Sequence, residues 1–187
     1  MQGQLDVELD ELGRMQAEAL GTVFAADPPQ VVVSSDLSRA RDTAQAVCDH
    51  VGLPLLVDAR LRETHYGEWQ GLSAEELTAQ CPVEFAAWRR WEGLPTGGEA
   101  PESVAARAVE VVDEYLPTEG TLLLVTHGGT ARALVGRLTD LEIGSWWRLG
   151  PLGNTCWSTL VEADRGWRLE RHNAGLGPLL GPPTGAG

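Results

Sequence analysis

The stretch Leu122-Leu123-Leu124-Val125-Thr126-His127-Gly128-Gly129-Thr130-Ala131-Arg132 constrains the fold more than any other part of the chain. Its branched apolar run reads as a buried strand, which stops at a polar residue and two glycines before helical spacing resumes from Ala131 to Leu138. A strand that feeds a helix in this way is one half of a parallel-sheet unit. In an open α/β sheet, ligands bind in the crevice outside the carboxyl ends of the strands, and His127 stands at such an exit. A helix starting there aims free backbone N–H groups at anions, and glycines let a substrate approach the backbone closely. A lone histidine capping a helix would give the same local pattern, so the rest of the chain has to decide.

Upstream, Asp10 to Ala25 has helical spacing with Asp10 as N-cap, and Val31-Val32-Val33 is a short buried strand. Ser34-Ser35-Asp36 leads from it into a helix from Leu37 to about Val51, a first βα unit. Leu53 to Val57 is a second strand, nearer an edge because of Pro54. Arg60 to Leu72 is polar, aromatic and glycine-bearing, and reads as a loop. Ser73 to about Trp91 is helical with an interruption at Cys81-Pro82, and Gly93 to Gly98 breaks it. Pro101 to Leu116 is an amphipathic helix, and Gly144 to Gly153 is a tryptophan-bearing connection. Cys156 to Glu162 and Trp167 to Arg171 pair around Asp164-Arg165-Gly166. The expected fold is α/β, a three-layer α/β/α sandwich with a mostly parallel central sheet. It forms one domain over residues 1–175, followed by a flexible Gly/Pro-rich tail at 176–187.

Composition removes whole classes of function. A net charge of −13 argues against a nucleic-acid partner, whose binders carry basic patches. All 14 basic residues are Arg, so chemistry that needs an ε-amine is excluded and any bound anion falls to guanidinium, imidazole and backbone N–H. No apolar stretch approaches the roughly 20 residues that span a bilayer, and the first residues lack a signal-peptide pattern, so a cytoplasmic protein with no membrane partner is expected. Cys48, Cys81 and Cys156 suggest neither a disulfide framework nor a zinc site.

Three segments carry the chemistry: Ser34-Ser35-Asp36-Leu37-Ser38-Arg39-Ala40, then Leu61-Arg62-Glu63-Thr64-His65-Tyr66-Gly67-Glu68-Trp69-Gln70-Gly71, then Thr126-His127-Gly128-Gly129. In this order they resemble the histidine phosphatase superfamily, with its phosphoglycerate mutase-like fold. Alone, Arg39 would read as a surface ion pair and Glu63 as a solvated loop charge. The resemblance makes Arg39 the phosphate-clamping arginine, Glu63 the general acid/base, and His127 the histidine that holds a phosphoryl oxygen. A transferring phosphoryl group carries charge on its equatorial oxygens, which is work for Arg and His. Glu63 could then protonate the leaving oxygen, provided partial burial beside Tyr66 and Trp69 raises its pKa.

The resemblance implies a phosphomonoesterase acting through a phosphohistidine on a small phosphorylated metabolite, a glucosylated phosphoglycerate or a similar phosphosugar acid. It needs no metal or cofactor and usually dimerises with a second copy. By the same resemblance Gln2 and Leu169 contact substrate, although they read equally as a frayed terminal side chain and a core strand residue. Trp146-Trp147 could stack on a sugar, form a subunit contact or pack in the core. The segment Cys81 to Gly98, which caps the site, departs in detail from relatives. Members begin with a buried strand ending in Arg-His-Gly, whose histidine is the nucleophile. This chain lacks that segment, and His50, His65 and His172 read as structural or surface residues. An N-terminally truncated domain without its first strand is therefore expected, with the nucleophile upstream of Met1. The alternatives are a phosphoglycerate mutase, which needs longer insertions, or a non-catalytic phosphate-ligand binding module.

Overall fold

In a computed structural model, residues 1–175 are described, so the expected tail at 176–187 lies outside the described residues. Three parallel strands form the central sheet in the order β2-β1-β3, with β1 at Val31–Ser34, β2 at Leu56–Val57 and β3 at Leu122–Val125. Alternation along β1 and β3 divides their side chains between two faces. Val32, Leu123 and Val125 meet Ala44 and Cys48 of α2 (Ser38–Val51), and α1 (Glu11–Ala26) packs outside α2. Val33, Leu122 and Leu124 meet Val111 of α5 (Pro101–Tyr115), which lies beside α6 (Gly128–Leu138). This is the expected three-layer sandwich.

Helix boundaries follow their caps. Asp10 accepts from the Gly13 N–H at the start of α1, and Ser73 and Glu76 form a reciprocal capping box at the start of α3 (Ala74–Gln80). Pro82 opens α4 (Pro82–Arg89), which accounts for the break at Cys81-Pro82. The start of α2 differs from expectation. Leu37 occupies its N-cap without a side-chain bond, and the Ser38 N–H is capped from a distance by Asp6 at 2.7 Å.

β3 also differs. A Leu-Leu-Leu-Val run should be a buried central strand, yet all four residues are only half-buried, because among the described residues β3 pairs with β1 on one side alone. The hairpin of β4 (Trp157–Ala163) and β5 (Gly166–Ala174) forms a separate antiparallel sheet, with Trp167 resting on α5 and α6. An apolar strand with an unpaired edge is an unusual thing for a native sheet to leave uncovered. Of the tryptophan pair, Trp146 is buried in the core and Trp147 is 56% exposed. Among the described residues, no helix is long and apolar enough to cross a membrane.

Candidate active site

The parallel strands β1 and β3 end side by side, and the Val125 carbonyl accepts from the Ser35 N–H at 2.9 Å, so the segments leaving the two strands share one crevice. After β1 come Ser35, Asp36 and, in the first turn of α2, Arg39. After β3 comes His127, the residue immediately before α6. The His127 Nε2 lies 3.0 Å from the Ser35 hydroxyl. Burial, reinforced by the positive Arg39 and Arg107 and opposed by Asp36, pushes the imidazole down to about 3. At neutral pH it is an uncharged ring next to a guanidinium.

Glu63 is brought in from the loop over the sheet. Its carboxylate accepts from the Gly129 and Thr130 N–H groups, each at 3.1 Å, and from its neighbour Thr64 N–H at 2.7 Å. The expectation that the start of α6 aims its N–H groups at a ligand is therefore corrected in part: two of them are taken by Glu63, whose negative charge suits a helix N-terminus. Gly129 is needed for the same reason. A Cβ there would lie 2.5 Å from Glu63 Oε1, whereas one on Gly128 meets nothing within 4 Å. Gly129→Ala is expected to displace the carboxylate and cost about 1–3 kcal/mol, and Gly128→Ala to be neutral or stabilising. Denaturant unfolding of the two variants checks the contrast.

Arg39 is half-buried, and burial lowers its pKa against the pull of Glu63 and Asp6. Its guanidinium donates to the carbonyls of Gly3 and Leu5 at 2.8 Å each, tying the N-terminal loop to the site. Arg62, beside Glu63, pairs bidentately with Asp36 at 2.7 and 2.5 Å. Tyr66 packs edge-on to Trp88, and burial followed by the Glu63 charge raises its hydroxyl pKa. Trp69 lies beneath with Leu77 and Phe85.

Sequence reasoning missed Arg107. It sits on α5, where a single charge on an amphipathic helix reads as solvated, yet its guanidinium reaches under the Glu63 loop. It donates to the carbonyls of Arg60 at 2.5 Å, Arg62 at 2.7 Å and Glu63 at 3.2 Å, and forks onto Glu99 at 2.8 and 2.9 Å. Burial alone would raise the Glu99 carboxyl, but the Arg107 fork outweighs it and holds it below the usual range. The only local hint is an arginine within an otherwise apolar and alanine-rich helical stretch.

Arg39, Glu63 and His127 are thus assembled in one crevice. Gln2 is exposed at a turn close by, while its neighbour Gln4 donates to the Glu63 carbonyl at 3.0 Å. Leu169 is half-buried in the separate hairpin, across from Leu160. The other histidines are engaged elsewhere: His50 with the Ala46 carbonyl, His65 with the Gly97 carbonyl and Gln70, His172 with Ser158 and the Gly150 carbonyl. Among the described residues, no three His, Cys, Asp or Glu side chains gather to hold a metal ion.

Comparison with known proteins agrees with this architecture. The model for the histidine phosphatase superfamily (branch 1) matches residues 1–175. A glucosyl-3-phosphoglycerate phosphatase of Mycolicibacterium vanbaalenii is 42% identical, the match covering 93% of this chain and 87% of that one. A 2,3-bisphosphoglycerate-dependent phosphoglycerate mutase of Gloeobacter violaceus is 36% identical over 75% of this chain and 68% of its own. The native structure of a mycobacterial glucosyl-3-phosphoglycerate phosphatase superposes with a TM-score of 0.88 at 42% identity, covering 94% of this chain and 92% of that one.

Proposed function

The chain belongs to the histidine phosphatase superfamily, and from that premise we propose that it is a phosphomonoesterase releasing inorganic phosphate from glucosyl-3-phosphoglycerate or a similar phosphosugar acid. The observation that carries this reading is the Glu63 carboxylate seated on the first turn of α6, directly after His127 and within the field of Arg39. In this reading Arg39 and His127 hold the equatorial oxygens of the phosphoryl group. An imidazole nitrogen attacks phosphorus and the ester oxygen leaves, taking a proton from the Glu63 carboxyl. Water then attacks the phosphohistidine and gives a proton back to Glu63, freeing phosphate.

In this reading the attacking imidazole is carried on a further strand seated along the second edge of β3. Two observations support it. Among the described residues that edge is unpaired and its Leu/Val side chains are half-exposed, and a parallel strand placed there would end beside His127. His50, His65 and His172 are held elsewhere by their own partners. We also place the protein in the cytoplasm, as a homodimer whose contact includes the exposed Trp147, Leu141 and Ile143.

The test is an assay of the protein purified from its source cells, and of the 187-residue chain beside it, with glucosyl-3-phosphoglycerate and 3-phosphoglycerate. Phosphate release with a phosphorylated-histidine intermediate is expected from the native protein. An isomeric phosphoglycerate as product would make it a mutase, and binding without turnover would make it a phosphate-ligand binding module.

A further inference from the structure

Arg132 is a half-buried guanidinium without a carboxylate partner among the described residues. Among the described residues, Arg41, Arg60, Arg62, Arg90, Arg107, Arg137 and Arg168 all pair with carboxylates, in a chain with nearly twice as many acidic as basic residues. Arg132 pairs with none, and its Nε is buried with no hydrogen-bond partner. A buried donor left unmatched destabilises a fold, so its persistence calls for a reason.

Its surroundings supply one. Arg132 stands on α6 one turn beyond Gly128 and Gly129, close enough to Glu63 that the carboxylate charge acts on it, with the neutral Tyr66 hydroxyl nearby. Its guanidinium lies over the Trp91 ring, 5.7 Å from the centroid. Trp91 is the left-handed residue that closes α4, with φ at 62°, its N–H donating to the Trp88 carbonyl at 2.9 Å and that of Glu92 to the Ala87 carbonyl at 3.0 Å. The close of α4 thus lays an aromatic plane on this cation. Such a plane orients a guanidinium and leaves its N–H edge for an in-plane partner.

We propose that Arg132 is a specificity-determining residue that pairs with a carboxylate on the leaving portion of the substrate. The inference rests on the phosphomonoesterase reading, in which Glu63 protonates the leaving oxygen. The organic part of the substrate then lies on the Glu63 side of the phosphorus, where Arg132 is. A carboxylate there would pair with the outer N–H groups of the guanidinium, while an ester of a neutral alcohol would leave them unpaired.

Calorimetric titration with 3-phosphoglycerate and with glycerol 3-phosphate separates the possibilities, since the first carries a carboxylate that the second lacks. The wild-type protein is expected to favour 3-phosphoglycerate by about 10-fold or more. In Arg132→Met that ratio collapses toward one. Arg132→Lys, which keeps the charge without the fork, gives an intermediate ratio and keeps the test readable should the methionine variant not fold. A preference retained in the variants, or absent from the wild type, overturns the assignment and leaves the phosphomonoesterase reading standing. A loss shared equally by both esters also overturns it, because it marks Arg132 as a structural clasp between the capping segment and α6. Failure of the wild type to bind either ester overturns both readings together.

Discussion

Arg107→Met is expected to lower the free energy of unfolding by about 3–5 kcal/mol, the range for removing one partner of a buried pair and stranding the other. The side chains of Arg107 and Glu99 are only 17% and 20% exposed, so solvent screens the loss little. The substitution leaves the Glu99 carboxylate without its fork and removes the donor to the carbonyls of Arg60, Arg62 and Glu63. Chemical denaturation reads the loss directly. The double variant with Glu99→Gln should recover part of it, because the stranded charge has gone, while the three carbonyls remain without their donor. A cost below about 1 kcal/mol would mean that water replaces the guanidinium freely. Because the same side chain carries the backbone at Glu63, the single variant should also loosen the carboxylate from Gly129 and Thr130, visible as faster amide exchange at those two positions.

Acid should destabilise the protein well above the range in which carboxylates titrate, and His127 is the cause. Its imidazole is pushed down to about 3 in the folded protein, from an ordinary value of 6.5 in the unfolded chain. Between those two pH values the unfolded chain binds the proton and the folded one does not, so stability rises with pH across that window and is lost as pH falls through it. The slope is about 1.4 kcal/mol per pH unit, which gives about 2 kcal/mol between pH 6.5 and 5. His127→Gln, which can keep a polar contact to Ser35, should flatten the stability curve in that interval. A curve as steep in the variant as in the wild type would assign the acid sensitivity to other groups. Phosphate should act in the opposite direction, because an anion beside the ring favours its protonated form. Stabilisation by millimolar phosphate should therefore be accompanied by proton uptake, measurable as a buffer-dependent heat of binding.

The candidate site is legible in the sequence to the extent that its residues stand at chain features with local rules. A branched apolar run ending in polar and glycine residues places His127 at a strand exit, and a second run places Arg39 one turn into a helix. Glu63 is found by order and likeness rather than by periodicity, since its loop has none. At Gly129 the sequence points correctly to a close approach, but the approaching group is the Glu63 carboxylate rather than a ligand. The start of α2 escapes local rules in the same way, because its cap arrives from Asp6, 32 residues away.

What the sequence alone determined is therefore everything that neighbouring residues decide: the helices with their breaks and their local caps, the parallel βα units, the all-arginine chemistry of the cations, and the order of Arg39, Glu63 and His127. Tertiary structure alone decided which groups those residues meet. It seated Glu63 on the first turn of α6, set Arg107 beneath the active-site loop, stacked Arg132 on Trp91 and, among the described residues, left that cation without an anion and an apolar β3 at the edge of its sheet. The physical reason is range. Backbone propensity and side-chain spacing act over three or four residues, whereas the partners of a charge are chosen by the packing of segments dozens of residues apart, where burial sets the cost of leaving it unpaired.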